Sequence, residues 1–250
     1  MRRTSVFPML LFAGAALLAT SGCSRDRGAD RTAVTPAPGT PAEDKAMVRV
    51  VNADPELKEV DAFADNQPIF DNVAYKEVTA YKEMKDNRFT FAVRPDGQTT
   101  GDPLAENSEG LGGGDHYTFV VLPEKEMGKA TLMALKDKNE PAEEGKARVR
   151  VVNASRDAGE IDIFIAGNKD PLVSGLNFQS ESFYSDVAPG NVALQVRREG
   201  QRAPLLTVKN VNLEAGKIYT FVLAGRGRQI EAIRIEDSMT APHGARTGSQ

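Results

Sequence analysis

The stretch KARVRVVNA, residues 146–154, decides the reading, because residues 45–53 already spell KAMVRVVNA. The echo continues downstream. Val60, Asp61 and Phe63 match Ile161, Asp162 and Phe164 at the same spacing of 101. Pro68 then pairs with Pro171, Tyr81 with Tyr184, FTFAVR from Phe89 with VALQVR from Val192, and YTFVVL from Tyr117 with YTFVLA from Tyr219, at offsets between 101 and 103. Units of about 90 residues exceed solenoid periods and reach the size of independent domains. The chain therefore reads as a tandem, with repeat 1 over residues 46–136, a charged linker with Pro141 over 137–145, and repeat 2 over 146–236. Such a linker predicts domains that move relative to each other.

Within a repeat the apolar residues recur with period two. Val149 and Val151 alternate with Arg148 and Arg150; Ile161, Ile163 and Ile165 with Asp162 and Phe164; Val192, Leu194 and Val196 with Ala193, Gln195 and Arg197. That alternation predicts half-buried strands. Turn residues separate them, among them Gly167 and Asn168, Pro189 and Gly190, Glu199 and Gly200, and Ala215 and Gly216. Some seven short strands and no helical stretch predict an all-β chain of two tandem antiparallel β-sandwich domains. In repeat 1 the segment matching residues 205–209 has become LAENSEGLGGG, residues 104–114, which predicts a looser edge. Asn52 and Asn153 close the first strand of each copy, and Asp61 and Asp162 recur in the next. Their repetition points to a structural task, side chains bonding the backbone of a following turn.

Upstream, Arg2 and Arg3 precede an apolar run of about 14 residues, Val6 to Ala19, whereas a membrane span needs about 20. Residues 1–22 are predicted to be a signal peptide. LLATSGC, residues 17–23, resembles a bacterial lipobox, with Ser21 and Gly22 before the cysteine and Thr20 where leucine is commoner. Cys23 would be acylated after cleavage and hold the protein to a membrane through palmitate-type chains, each buried methylene contributing about 0.8 kcal/mol. Ser24, not an aspartate, follows. By resemblance to lipoprotein sorting in Gram-negative cells, this implies the outer membrane of the cell envelope. Residues 23–45 carry Pro, Ala, Thr and charge with nothing to bury, so a disordered tether is expected. The polar residues 237–250 read as a disordered tail.

VRVVNA together with IDIFIAG, residues 161–167, resembles a bacterial domain of unknown function, the family numbered 4397, found in secreted proteins and lipoproteins. The resemblance covers about 190 of the 250 residues. It departs in repeat 1, where Leu57 to Glu59 replaces the small residues Ala158 and Gly159. It implies an immunoglobulin-like or transthyretin-like sandwich and no catalytic residues.

The inventory argues against catalysis. The one cysteine precludes an intramolecular disulfide and a thiolate metal cluster, and of the two histidines His116 opens a strand while His243 lies in the tail. Asp96, Asp102, Glu106, Glu109 and Asp115 crowd one loop region of repeat 1, but at no calcium-loop spacing, and read as a solvated acidic surface. A carboxylate-based glycan hydrolase would need two acids facing each other in a cleft, which a small sandwich seldom offers. No cofactor and no metal is expected.

Charge separates the copies. Residues 46–145 hold 11 basic and 20 acidic side chains, net −9, and residues 146–236 hold 13 and 10, net +3. Without the two arginines of the signal peptide the chain's −4 becomes −6, which disfavours general nucleic-acid binding. If the later strands of repeat 2 run up and down in succession, the turns around Gly200 and Gly227 emerge at one end. Arg197, Arg198, Arg202, Arg226 and Arg228 then gather there as an anion-binding set. The sequence thus predicts a non-catalytic, membrane-anchored envelope module whose partner is an anionic glycan, a lipid phosphate or an envelope protein. The alternative is a protein-protein interaction subunit of an envelope or secretion assembly, docking by strand addition at the looser edge of repeat 1.

Overall fold

The structure, a computed structural model, describes residues 44–124, 128–138, 140 and 142–237. Cys23, the signal peptide, the tether up to residue 43 and the tail from residue 238 lie outside the described residues.

Repeat 1 contributes β1 (Lys45–Asn52), β2 (Glu59–Ala64), β3 (Gln67–Ala74), β4 (Lys82–Lys85), β5 (Arg88–Pro95), β6 (Ala105–Gly110), β7 (His116–Pro123) and β8 (Ala130–Asp137). Repeat 2 contributes β9 (Ala147–Asn153), a 3-10 turn (Arg156–Ala158), β10 (Ile161–Ile165), β11 (Val173–Leu176), β12 (Ser180–Glu181), β13 (Ser185–Val187), β14 (Gly190–Arg198), β15 (Pro204–Leu213), β16 (Ile218–Arg226) and β17 (Gln229–Glu236). The chain is all-β. Each repeat stacks two sheets, β4-β1-β7-β8 against β3-β2-β5-β6, and β12-β9-β16-β17, with β13 also on β9, against β11-β10-β14-β15.

The ladders are antiparallel except for β1 with β7 and β9 with β16, which run parallel. Strands β2, β3, β5 and β6 occupy the opposite sheet, so the chain leaves and re-enters the first sheet by a long crossover, as a parallel pair requires. The looser edge expected at residues 104–114 needs correction. β6 pairs with β5 without slippage from Arg88 opposite Gly110 to Val93 opposite Ala105, and the Asn107 amide donates to the Leu132 carbonyl at 2.9 Å. Polar side chains suit an edge strand, which needs only one apolar face, and buried Ala105 and Leu111 supply it here.

Each repeat has its own core. Val48, Val50, Phe91, Phe119 and Val121 centre one; Val149, Val151, Ile161, Phe221 and Leu223 centre the other. A third cluster joins them. Val51, Ala53, Val120, Leu122 and Leu135 of repeat 1 pack with Val152, Ala154, Val222, Ala224, Ile233 and Ile235 of repeat 2. The shared motif is therefore apolar on both faces: in VRVVNA the first two valines point into the repeat's own core, and the last valine and the alanine into the junction. At about 1.5–3 kcal/mol for each fully buried Val, Leu or Ile, this contact opposes the free relative motion expected of the domains.

The closing asparagines act as expected. Asn153 donates to the carbonyls of Gly159 at 2.8 Å and Leu176 at 3.1 Å and accepts from the Ser155 amide. Asn52 repeats this with Leu57, Val73 and Asp54. Asp61 accepts from the amides of Asn72 and Gly97, and Asp162 from that of Gly175.

Candidate functional site

Polar side chains gather at the junction, at the hairpin tips of repeat 2 and in a cleft beside the tips. At the junction the second residue of each VRVVNA, Arg49 or Arg150, lies on the face opposite the repeat's own core. Both are buried, and each pairs with an aspartate that ends the other half, just outside the repeat bounds read from the sequence: Arg49 with Asp237, one residue past β17, and Arg150 with Asp137, the last residue of β8, which also stands 3.8 Å from Arg49. Thr118 and Thr220 hold the acceptors, donating to Asp137 at 2.6 Å and Asp237 at 2.7 Å, while the arginine Nε atoms reach the same threonines at 2.8 and 3.2 Å. Tyr81 and Tyr184 cover the guanidinium groups at 4.4 and 4.7 Å.

Further out the exchange repeats in altered form. Lys76 pairs with Glu231 at 2.9 Å, and at the matching place Gln179 donates to Thr131 at 2.9 Å and to the Pro123 carbonyl at 3.2 Å. Residue i meets residue j, and the counterpart of i meets the counterpart of j, as across a two-fold axis. The electrostatics match this closure. Burial works against the charge of Arg150, yet Asp137, Tyr184 and Asp237 hold its pKa above the ordinary arginine value. Burial raises Asp237, Asp137 adds to the rise, and Arg49 and Arg150 oppose it. His116 stands edge-on to Tyr81 with ring centres 5.0 Å apart, and burial lowers its pKa while Asp137 pulls it upward.

The tips bring together part of the set read from the sequence. Arg198 donates to the carbonyls of Ala158 at 3.2 Å and Asp157 at 2.7 Å, and the Asp157 carboxylate accepts the Gly227 amide at 2.7 Å. The β14–β15 and β16–β17 hairpins thus converge on the 3-10 turn at one end of repeat 2. Their arginines differ in employment. Arg197 lies along β14 with its guanidinium 4.1 Å from the Phe164 ring and donates to Gln195. Arg226 pairs across the junction with Glu56. Arg202 and Arg228 are exposed, and among the described residues neither has a hydrogen-bond or ion-pair partner. Of the acids on repeat 1, Asp96 and Asp102 are exposed in the β5–β6 turn, Glu106 and Glu109 lie on β6, and Asp115 pairs with Lys136 at 2.6 Å. No group of three His, Cys, Asp or Glu that could hold a metal occurs among the described residues.

Beside the tips, Pro55 and Tyr75 of repeat 1 and Gly225, Arg226, Gln229, Ile230 and Glu231 of repeat 2 line an open cleft of about 600 Å³. Gly225 has φ of +106°, and a Cβ there would overlap the Gln229 carbonyl, so the tight turn that builds this wall requires glycine. Sequence reasoning missed the cleft and the junction. A signal for the junction existed in YTFVVL and YTFVLA, whose outward positions Val120, Leu122, Val222 and Ala224 are also apolar, the mark of a strand covered on both faces.

The family described as Domain of unknown function (DUF4397) matches residues 46–164 and 164–247, and the chain belongs to it. Among solved structures, the C-terminal domain of AlgF from P. aeruginosa is similar at 23% identity over 37% of this chain and 98% of that one, with a TM-score of 0.30. A streptococcal virulence factor whose structure is described as alpha-glucan binding matches at 10% identity over 74% of this chain and 95% of that one, TM-score 0.24. The Bacillus anthracis TIE protein matches at 11% identity over 73% and 34% of the two chains, TM-score 0.23. No curated protein shows significant similarity to the chain.

Proposed function

We propose that this family member is a non-catalytic module of the bacterial envelope, anchored by lipid at Cys23, that binds an anionic partner, envelope glycan or lipid phosphate, through the tips of repeat 2. One observation carries the reading. The two hairpins are fixed to the same 3-10 turn, so that Arg202 and Arg228 belong to one end of repeat 2, and among the described residues neither is paired with an acid. Charged groups on a rigid support recognise an anion without ordering a loop first. A lipid anchor raises the local concentration of such contacts, so weak binding suffices. Double substitution Arg202→Ser/Arg228→Ser should cut retention on anionic cell-wall material severalfold at low salt, and unchanged retention would sink the proposal.

A second reading, a subunit of an envelope assembly, draws on Phe183. This ring is 94% exposed where repeat 1 has Ala80, at a groove of about 390 Å³ between β11 and β12. Crosslinking in native membranes would favour it if a protein partner is captured through Phe183 and lost in Phe183→Ala.

A further inference from the structure

We infer that the cleft between the repeats is the subsite that takes a sugar ring, and that the anionic partner is therefore an acidic saccharide and not a lipid phosphate. The inference rests on the anion-binding reading of the tips and extends it. The argument starts from the broken symmetry of the junction. At one of two equivalent positions Gln179, a short side chain, draws the repeats together through Thr131 and the Pro123 carbonyl. At the other, Lys76 and Glu231 meet at the ends of long side chains, and the cleft opens beside them.

Its walls differ from what a phosphate alone needs. A phosphate is satisfied by cations and backbone N–H groups. Here Arg226, Gln229 and Glu231 offer planar donor and acceptor groups next to the apolar surfaces of Pro55 and Tyr75. A pyranose presents this pair of features, hydroxyls around its rim and C–H groups on its faces. The guanidinium of Arg226 pairs with Glu56 on one side and keeps further N–H donors. Glu231, held by Lys76, accepts from hydroxyls without bringing an unpaired negative charge to the site. Arg228 belongs to the same turn as Arg226 and Gln229, so an acidic group on a neighbouring sugar would fall toward it. Two ion pairs between the repeats bracket the cleft, so its width is set by the junction.

The test uses the full chain in mild detergent and three probes: an oligogalacturonate hexamer, a neutral cellohexaose, and vesicles containing an anionic phospholipid. The variants are Gln229→Ala for the cleft, an exposed position whose loss spares the core, and Arg202→Ser/Arg228→Ser for the tips. Wild type is expected to bind the acidic hexamer at least tenfold more tightly than the neutral one, and each variant to lose at least tenfold toward the acidic hexamer. Loss in the tip variant with Gln229→Ala unchanged would overturn the cleft subsite and leave the tip reading standing, as would binding to vesicles alone. Equal binding of both hexamers, lost only in Gln229→Ala, would overturn the tip reading and keep the cleft. No binding to any probe would overturn both.

Discussion

Arg150 and Arg202 belong to the same repeat and carry the same charge, yet one is fully buried and the other projects from a hairpin tip. The two regions they stand for differ in how closely the repeats agree. At the junction Arg49, Thr118, Tyr81 and the terminal aspartate of repeat 1 have counterparts in Arg150, Thr220, Tyr184 and Asp237. At the tips the copies diverge: the turn after β5 carries Asp96 and Asp102, and the turns after β14 and β16 carry Arg202 and Arg228. A face that must close on its own counterpart is held to one solution by each side. A tip meets only what comes from outside, so the two copies are free to differ there.

The largest effect that sharpens this contrast is expected from Arg150→Met. It leaves Asp137 buried beside Thr118 and Tyr81 with only the more distant Arg49, at 3.8 Å, as a cation, and removing one member of a buried pair costs about 3–5 kcal/mol. Urea unfolding followed by circular dichroism should show the loss, and a midpoint equal to wild type would mean that the junction does not hold the repeats together. Replacing Asp137 as well, with leucine, should recover a large part, because the poorly compensated buried charge disappears with it.

Next comes Asn153→Ala. The substitution strips the buried carbonyl of Leu176 and the carbonyl of Gly159 of their donor and the buried Ser155 amide of its acceptor, at an expected cost of about 2–3 kcal/mol. Asn52→Ala should cost a similar amount, since Asn52 makes the same three bonds in repeat 1. Unequal costs would show that the repeats rely on this closure to different degrees.

A smaller, pH-dependent effect distinguishes the copies where His116 faces Ile218 as its counterpart. Burial keeps the folded imidazole below its ordinary value of 6.5. The unfolded chain therefore takes up the proton first, so stability is full above about pH 6.5 and declines as the pH falls toward the lowered folded value. In His116→Ile this component should vanish. Thermal melts between pH 7.5 and 5 read the slope, and an identical slope in the variant would exclude His116 as its source.

The all-β class and the tandem were legible because alternation and turn residues report local backbone geometry, and Asn52 and Asn153 announced their structural task by recurring. The junction was harder to read. Arg49 and Arg150 sit between valines, a pattern that also describes a solvent-facing arginine on a half-buried strand. Only the apolar outer positions of β7 and β16 mark that face as covered, and the aspartates that complete the pairs come from beyond the arginines' own strands, Asp237 standing 188 residues from Arg49 and Asp137 13 residues before Arg150 at the end of β8. The parallel pairing of β1 with β7 was equally hidden, because period two is the same in both pairing directions. The arginine set was half visible. The hairpin order brought Arg198, Arg202, Arg226 and Arg228 to one end, but Arg198 and Arg226 are drawn into the scaffold by the Asp157 carbonyl and by Glu56, groups supplied by segments that adjacency in sequence does not reveal.

The smallest expected change in stability belongs to the tips and carries the most weight for function. Arg202→Ser/Arg228→Ser removes two exposed cations that make no hydrogen bond or ion pair among the described residues, so unfolding should shift by no more than about 0.5 kcal/mol. Binding of an anionic glycan should nonetheless fall, and the wild-type affinity should itself weaken as salt is raised, because exposed charges beyond a Debye length of about 8 Å are screened at physiological ionic strength. The matched change Asp96→Asn/Asp102→Asn in repeat 1 should leave both quantities alone or raise affinity slightly by relieving repulsion. Equal loss from the arginine and the aspartate pairs would place the recognition on the whole end of the molecule, shared by the two repeats, in place of the basic tips of one.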